Sequence, residues 1–514
     1  MTMAITFFRD TYIDSVVQLR GMRAMREIDG VDWASAAMAT PANVETLRAE
    51  GVEPEQVADA GANDLFLAVR AVSEDVAADA LAAGKSAVRS STTAGDDDGQ
   101  PEAARSSLRD AVHARPEANV AVVSVPGEYA ALAAHQALSA GLHVLLFSDN
   151  VPLDKEVALK DHALGRGLLV MGPGAGTAML GGTGLGFANA VSPGRVGIVA
   201  AAGTGAQESM ALLDRWGAGV SQVIGVGGRD MSAEVGGRMT RAAIAALRED
   251  PATDVILFVS KPPAPDVATA VLATAEGTDL VAALIGLEPG FPAPPGVVLA
   301  DTLEAGVTAT LGLLDMAAPD TTTRTLGPRV EDARERIGAE RSLVRGLFSG
   351  GTLCYESLVV LGRTIGEVRS NTPINTDWGL PAPDGSHQCL DLGEEEYTRG
   401  RPHPMIDPAA RIELLHEHGA DPQVAAIIID VVLGYGANPD PAEVLGPACE
   451  SVMADGGPQV VAYVLGGVQD PQGFTGQRDR LLQAGCIVTE TAARASLVAA
   501  AIATGDASLV GHHL

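Results

Sequence analysis

The stretches "GTGAQES" (203–209) and "GTLCYES" (351–357) repeat Gly, Thr, Glu and Ser at identical spacing. Each follows an apolar run and opens a helical one. A strand, a glycine turn and a helix start in that order constrain the chain strongly. Such units build parallel sheets, with the turn at the C-terminal edge of the strand. The flanks repeat too. "GGRDMSAEVGGRMTRAAIAALREDPATDVILFV" and "GEEEYTRGRPHPMIDPAARIELLHEHGADPQVAAIIIDVV" share a polar loop, a helix, an Asp-Pro step (Asp250-Pro251, Asp421-Pro422) and a hydrophobic strand. The same order over about 60 residues predicts two related domains. The second copy carries an extra loop, "SNTPINTDWGLPAPDGSH".

Strand–helix alternation begins at Asn119 with "VAVVSVP", a helix Tyr129–Ala140, "HVLLFSD", a helical stretch to Leu164 and "GLLVMGPGAGTAM". This rhythm predicts an α/β protein with parallel sheets covered by helices. Residues 1–88 read as a small α+β module: strand "AITFF", helix Thr11–Ile28, strand "VDWASAAMA", a helix from Asn43, strand "DLFLAVRAV" and helix Ser73–Ala83. Residues 89–107 are poor in apolar side chains and read as a linker. Three α/β segments follow, at 108–193, 194–317 and 343–510, with a Pro-, Thr- and charge-rich connection at 318–342 between the last two.

Composition narrows the function. With 35 basic and 65 acidic residues the formal charge is −30. That disfavours nonspecific attraction to nucleic acid or an anionic membrane. The four cysteines (Cys354, Cys389, Cys449, Cys486) form no CxxC pair. This points to a reducing, cytoplasmic setting and to no metal site or disulfide frame. The N-terminus lacks the pattern of a signal peptide, and no window reaches the apolar length of a membrane span.

The two glycine turns, Gly203–Thr204–Gly205 and Ser349–Gly350–Gly351–Thr352, are candidate phosphate sites. Unpaired N–H groups and the dipole of a helix N-terminus favour an anion, although each turn also reads as a plain tight turn. The second turn, with its extra Ser349-Gly350, is the richer in donors. The chain has four lysines, and Lys261 alone follows a six-residue apolar strand directly, ahead of Pro262-Pro263. An ammonium there neutralises a phosphate or carboxylate, or else merely snorkels from a strand end. His403, between two prolines, is a candidate acid or base, or else a loop histidine without a chemical role. Asp430, inside "IIIDVV", is either a substrate-site carboxylate or a structural N–H acceptor. Asn438 is a further substrate-binding candidate. Glu208 and Glu356 read as first-turn carboxylates that stabilise their own helix dipoles.

"VGIVAAAGTGAQESMALLDRWGAGVSQVIGVGG" and "MGPGAGTA" resemble the α subunit of succinyl-CoA synthetase, and "CLDLGEEEYT…DPQVAAIIIDVVLGYG" resembles the ligase domain of its β subunit. "FFRDTYIDSV", "MATPAN" and "ADAGANDL" resemble the FdrA family of acyl-CoA-synthetase-like proteins. The resemblance implies an N-terminal module, a Rossmann-like CoA-binding-type domain and two flavodoxin-like ligase domains. Three departures bear on chemistry. The stretch matching the synthetase's phosphohistidine loop, "GLEPGFPAPPGVVLADTLEAGVTATLG", has no histidine. Lys261 stands where the family has the glutamate that supports that histidine. The glycine fingerprint of the CoA domain is not evident before Asn119. The FdrA resemblance implies an oxamate carbamoyltransferase subunit, interconverting oxalurate plus phosphate with carbamoyl phosphate plus oxamate in allantoin and purine catabolism. It implies companion subunits and no cofactor. The alternatives are an acid–thiol ligase subunit that uses CoA, and a scaffold subunit without catalysis.

Overall fold

The structure, a computed structural model, describes residues 1–9, 11, 15–61, 64–91, 107–288, 290–321, 323–399 and 401–512, in two compact units. The first comprises Met1–Arg105 with Glu395–Pro402. Its strands β1 (Thr2–Phe8), β2 (Val31–Met38) and β3 (Leu65–Ala71) form an antiparallel sheet in the order β1-β3-β2. The helix expected from Asn43 starts at Pro41 instead, where the ring's fixed φ suits the first helical position, and the Thr40 side chain accepts the Asn43 N–H. The helix expected to stop at Ala83 runs Glu74–Ser91. Gly84 sits inside it because a side chain there would strike Met25 of the facing helix Ser15–Arg26. Residues 92–106 of the expected linker lie outside the described residues.

The second unit comprises Ser106–Glu394 and His403–Leu514. Strands β4 (Val120–Val123), β5 (His143–Leu146) and β6 (Val170–Met171) form a small parallel sheet in that order. β7 (Thr177–Leu180) and β8 (Thr183–Gly186) are an antiparallel hairpin. Its two turn residues, Gly181 and Gly182, both have positive φ, as a tight two-residue hairpin turn requires. The sequence pattern groups this stretch with the Rossmann-like segment. In the fold it pairs with the sheet of the following segment.

That sheet contains β9 (Pro193–Ala201), β10 (Val220–Gly225), β11 (Val255–Ser260), β12 (Leu280–Leu284) and β13 (Val297–Ala300). The third sheet contains β14 (Leu343–Phe348), β15 (Val368–Ser370), β16 (His387–Asp391), β17 (Val424–Val432), β18 (Gln459–Leu465) and β19 (Ile487–Thr489). Their orders, β10-β9-β11-β12-β13 and β16-β14-β17-β18-β19, are the same 2-1-3-4-5 winding, all parallel. The repeat in the sequence is therefore a repeat in topology, and β15 is the edge strand added to the second copy. β11, β14 and β17 are buried along their whole length, which is why they read as unbroken apolar runs. Helix Arg238–Glu249 instead buries Met239, Ala243, Ile244 and Leu247, a stripe at helical spacing. In this winding, ligands bind at the C-terminal ends of the central strands, where β9 and β14 each run into a glycine turn.

Candidate functional site

Helix Gly203–Arg215 starts two residues after β9, and helix Gly351–Thr364 three after β14. The two helix mouths meet. Thr204 Oγ1 accepts the Thr352 N–H at 3.2 Å, and a side chain at Gly350 would collide with Thr204. A side chain at Gly205 would press on Thr352 and Val259, so glycine lets the helices approach.

The turns differ in what they leave free. At the second, Ser349 and Gly350 donate their N–H groups to Asp430 Oδ1 and Oδ2, each at 2.8 Å, and Ser349 Oγ donates to Oδ1. Arg411 completes the pair from the other side, its guanidinium 2.7 Å from Asp430 Oδ1. Ser349, Gly350, Arg411 and Asp430 are all buried. Asp430 is thus a structural acceptor for the turn, and the extra Ser349-Gly350 donors are already occupied. At the first turn the position matching Asp430 is Val259. The N–H groups of Gly203, Thr204 and Gly205 have no acceptor among the described residues. A narrow cleft lined by Gly174, Gly176, Gly203, Gly225 and Gly227 opens onto it without an ionisable side chain. The donors that set the second turn apart, Ser349 and Gly350, are therefore occupied, while the N–H groups that start the two helices, Gly203 and Gly351, have no acceptor among the described residues.

Lys261, just past β11, is half-buried. Its ammonium makes no hydrogen bond or ion pair with a described residue and stands 5.8 Å from the centre of the Tyr355 ring. Its charge acts on Asp391, the last residue of β16, a group that sequence reasoning missed. An acidic residue at the end of an apolar strand, as in "HQCLDLG", was the available signal. Asp391 is 3% exposed, and burial lifts its carboxyl to about 6 against the opposing pull of Lys261. Its Oδ1 accepts the Gly393 N–H at 3.0 Å.

His403 Nδ1 accepts the Met405 N–H at 3.2 Å, so the ring proton sits on Nε2, facing Gly393. Burial lowers this imidazole to about 4. It is a fixed neutral donor through the physiological range. Asn438 ties two loops together, its N–H and Nδ2 donating to the Met405 and Ile406 carbonyls and its Oδ1 accepting the Asp440 N–H.

Glu208 and Glu356 are the sixth residues of their helices and cap other helices rather than their own. Glu356 Oε1 accepts the N–H of Leu303, which opens helix Leu303–Leu313 of the first copy. Glu208 Oε1 accepts that of Ala492, which opens helix Ala492–Thr504 of the second. Each copy thereby caps a helix of the other, and this explains the shared spacing within the repeat without catalysis. Burial pushes Glu208 up to about 7. The native state then holds this proton more tightly than the unfolded chain, so its contribution is full below about 4.5 and is lost as pH rises through 7. Glu208→Gln should remove that loss, raising unfolding free energy by roughly 3 kcal/mol at pH 8.5 and little at pH 5. Urea unfolding at the two pH values checks this, and an equal effect at both would refute it.

A family model described as CoA-ligase matches residues 347–502, and one described as AllF, heavy metal-associated domain matches residues 1–105. Residues 1–105 contain neither cysteine nor histidine, and no cluster among the described residues is suited to a metal ion, so the N-terminal unit does not fit the metal in that description. The connections leaving β4 and β5 carry Glu128, Asp149 and Asp154, and the nearby cations Lys155 and Arg229 are paired with Asp154 and Glu156. No described helix is long and apolar enough to cross a membrane.

The chain is 29% identical over 150 residues to the alpha subunit of the ADP-forming succinate–CoA ligase of Aquifex aeolicus, covering 28% of this chain and 48% of that one. Among solved structures, a dinucleotide-forming acetyl-coenzyme A synthetase of Ca. Korarchaeum cryptofilum aligns with a TM-score of 0.31 at 15% identity, over 76% of this chain and 84% of that one. ATP citrate lyase from Methanothrix soehngenii aligns with a TM-score of 0.31 at 20% identity, over 42% and 38%. The uncharacterized protein YahF of Escherichia coli K12 is 37% identical over 510 residues, 97% of this chain and 98% of that one. The chain, with its AllF-type N-terminal domain and its CoA-ligase domain related to succinyl-CoA synthetase, therefore belongs to the YahF family.

Proposed function

We propose that this chain is a subunit of an oxamate carbamoyltransferase, interconverting oxalurate plus phosphate with carbamoyl phosphate plus oxamate. The observation that carries the reading is Lys261: an ammonium with no ion-pair partner among the described residues, beside two converging helix mouths. An AllF-type domain supports a place in allantoin breakdown. The first glycine turn would hold phosphate on the N–H groups of Gly203–Gly205, and Lys261 would neutralise it. A phosphate oxygen then attacks the ureido carbon, the bond to the oxamate nitrogen breaks, and the phosphate's proton ends on that nitrogen. The protein's part is to position the two anions and stabilise the tetrahedral oxyanion. His403 is no nucleophile in this scheme. Its Nδ1 is committed to the Met405 N–H, and its low basicity leaves Nε2–H a donor.

The purified chain, with its co-encoded partners, should form carbamoyl phosphate from oxalurate only when phosphate is added. Absence of product with all partners present would overturn the reading. Membership of the CoA-ligase family favours a second reading, an acid–thiol ligase subunit, for which acyl-CoA formation from ATP, CoA and an acid is the corresponding result.

A further inference from the structure

Asp391 combines three features that catalysis-free packing does not require. It is 3% exposed, yet its Oδ2 accepts no hydrogen bond from any described residue. That oxygen lies against Gly351, the first residue of its helix, where any side chain would collide with it, so glycine keeps the carboxyl at the helix mouth. Finally, the cation acting on it, Lys261, is near enough to be felt and too far for an ion pair, which leaves a gap between ammonium and carboxyl.

We propose that Asp391 in its neutral form donates the hydrogen bond that completes an oxyanion site with the Lys261 ammonium and the mouth of the Gly351 helix, so that anion binding is coupled to proton uptake. A carboxylate there repels an oxyanion, whereas a carboxylic acid donates to it. The inference rests on the oxyanion reading of this site and not on carbamoyl chemistry.

The charged and titratable groups around Asp391 come from five elements. Lys261 follows β11, Glu394 follows β16 and Asp430 lies in β17, held by the Ser349 and Gly350 N–H groups and Arg411. Cys354 and Tyr355 lie on the Gly351 helix, and burial raises both above their ordinary values. His403 is already neutral. Burial lifts Asp391 itself to about 6.

Sulfate is the probe, because it does not titrate between pH 6 and 8. Equilibrium dialysis of the full chain against radiolabelled sulfate should show association about 50-fold weaker at pH 8 than at pH 6, as the protonated fraction falls from about one-half to about one-hundredth. Asp391→Asn carries a donor at every pH and should bind equally at both. Wild-type binding that is flat across this range would overturn the proposal, as would an Asn variant that keeps the wild-type pH dependence. No binding at pH 6 would overturn it together with the oxyanion reading. Proton-linked binding without any turnover of oxalurate would uphold the inference and sink only the carbamoyltransferase.

Discussion

Lys261→Met is expected to lower phosphate-dependent cleavage of oxalurate by about 10²- to 10³-fold while leaving the protein folded. Lys261 stands at the C-terminal end of β11, the third strand of a 2-1-3-4-5 sheet, beside the first strand, whose turn opens the Gly203 helix. Its ammonium makes no ion pair or hydrogen bond with a described residue. Removing one charge-assisted interaction from a desolvated site costs roughly 2.7–4 kcal/mol of transition-state stabilisation, which gives that range. Methionine keeps the length and packing of the stem. What the fold gives up is the cation over Tyr355, worth about 0.5–1 kcal/mol when partly exposed. The loss should fall on kcat/KM for phosphate, with a urea midpoint little changed. A variant with wild-type kcat/KM would show that Lys261 is a strand-end lysine with no catalytic part, and the proposed function would lose its main support.

Local sequence carried much of this architecture and little of the site's internal wiring. The two GT-x-x-x-ES turns were legible because an apolar run, glycines and a helical stripe are short-range features, and both helices begin at those glycines. Lys261 stood out through its position at the end of an apolar strand and the rarity of lysine in the chain. The partner of the second turn was not legible. Asp430 lies 80 positions beyond Gly350, and only the pairing of β14 with β17 brings its carboxylate onto the Ser349 and Gly350 N–H groups. The same distance hid the role of Glu208, whose acceptor oxygen serves a helix 284 residues away. Asp391 was recoverable in principle, since it repeats the pattern that singled out Lys261 and Asp430. What sequence lacked was its burial, which turns an ordinary aspartate into a group near neutrality.

Asp430→Ala is expected to destabilise the second unit by roughly 3–5 kcal/mol, the usual cost of removing one partner of a buried ion pair. Asp430 is fully buried, and its two oxygens serve two backbone N–H groups, one hydroxyl and Arg411. Alanine leaves the Arg411 guanidinium, 2% exposed, without its counter-charge, and orphans the donors of the turn that opens the Gly351 helix. Asn should cost less, because its amide oxygen keeps one N–H acceptor while its charge is lost. Arg411→Met in the alanine background should recover part of the loss by removing the stranded cation. Urea unfolding of the four proteins reads this order directly. An alanine variant within about 1 kcal/mol of wild type, but inactive, would reverse the assignment and make Asp430 a substrate-site carboxylate. Rescue by Arg411→Met distinguishes the two outcomes further, since a protein that has merely stopped binding its substrate gains nothing from removing a second charge.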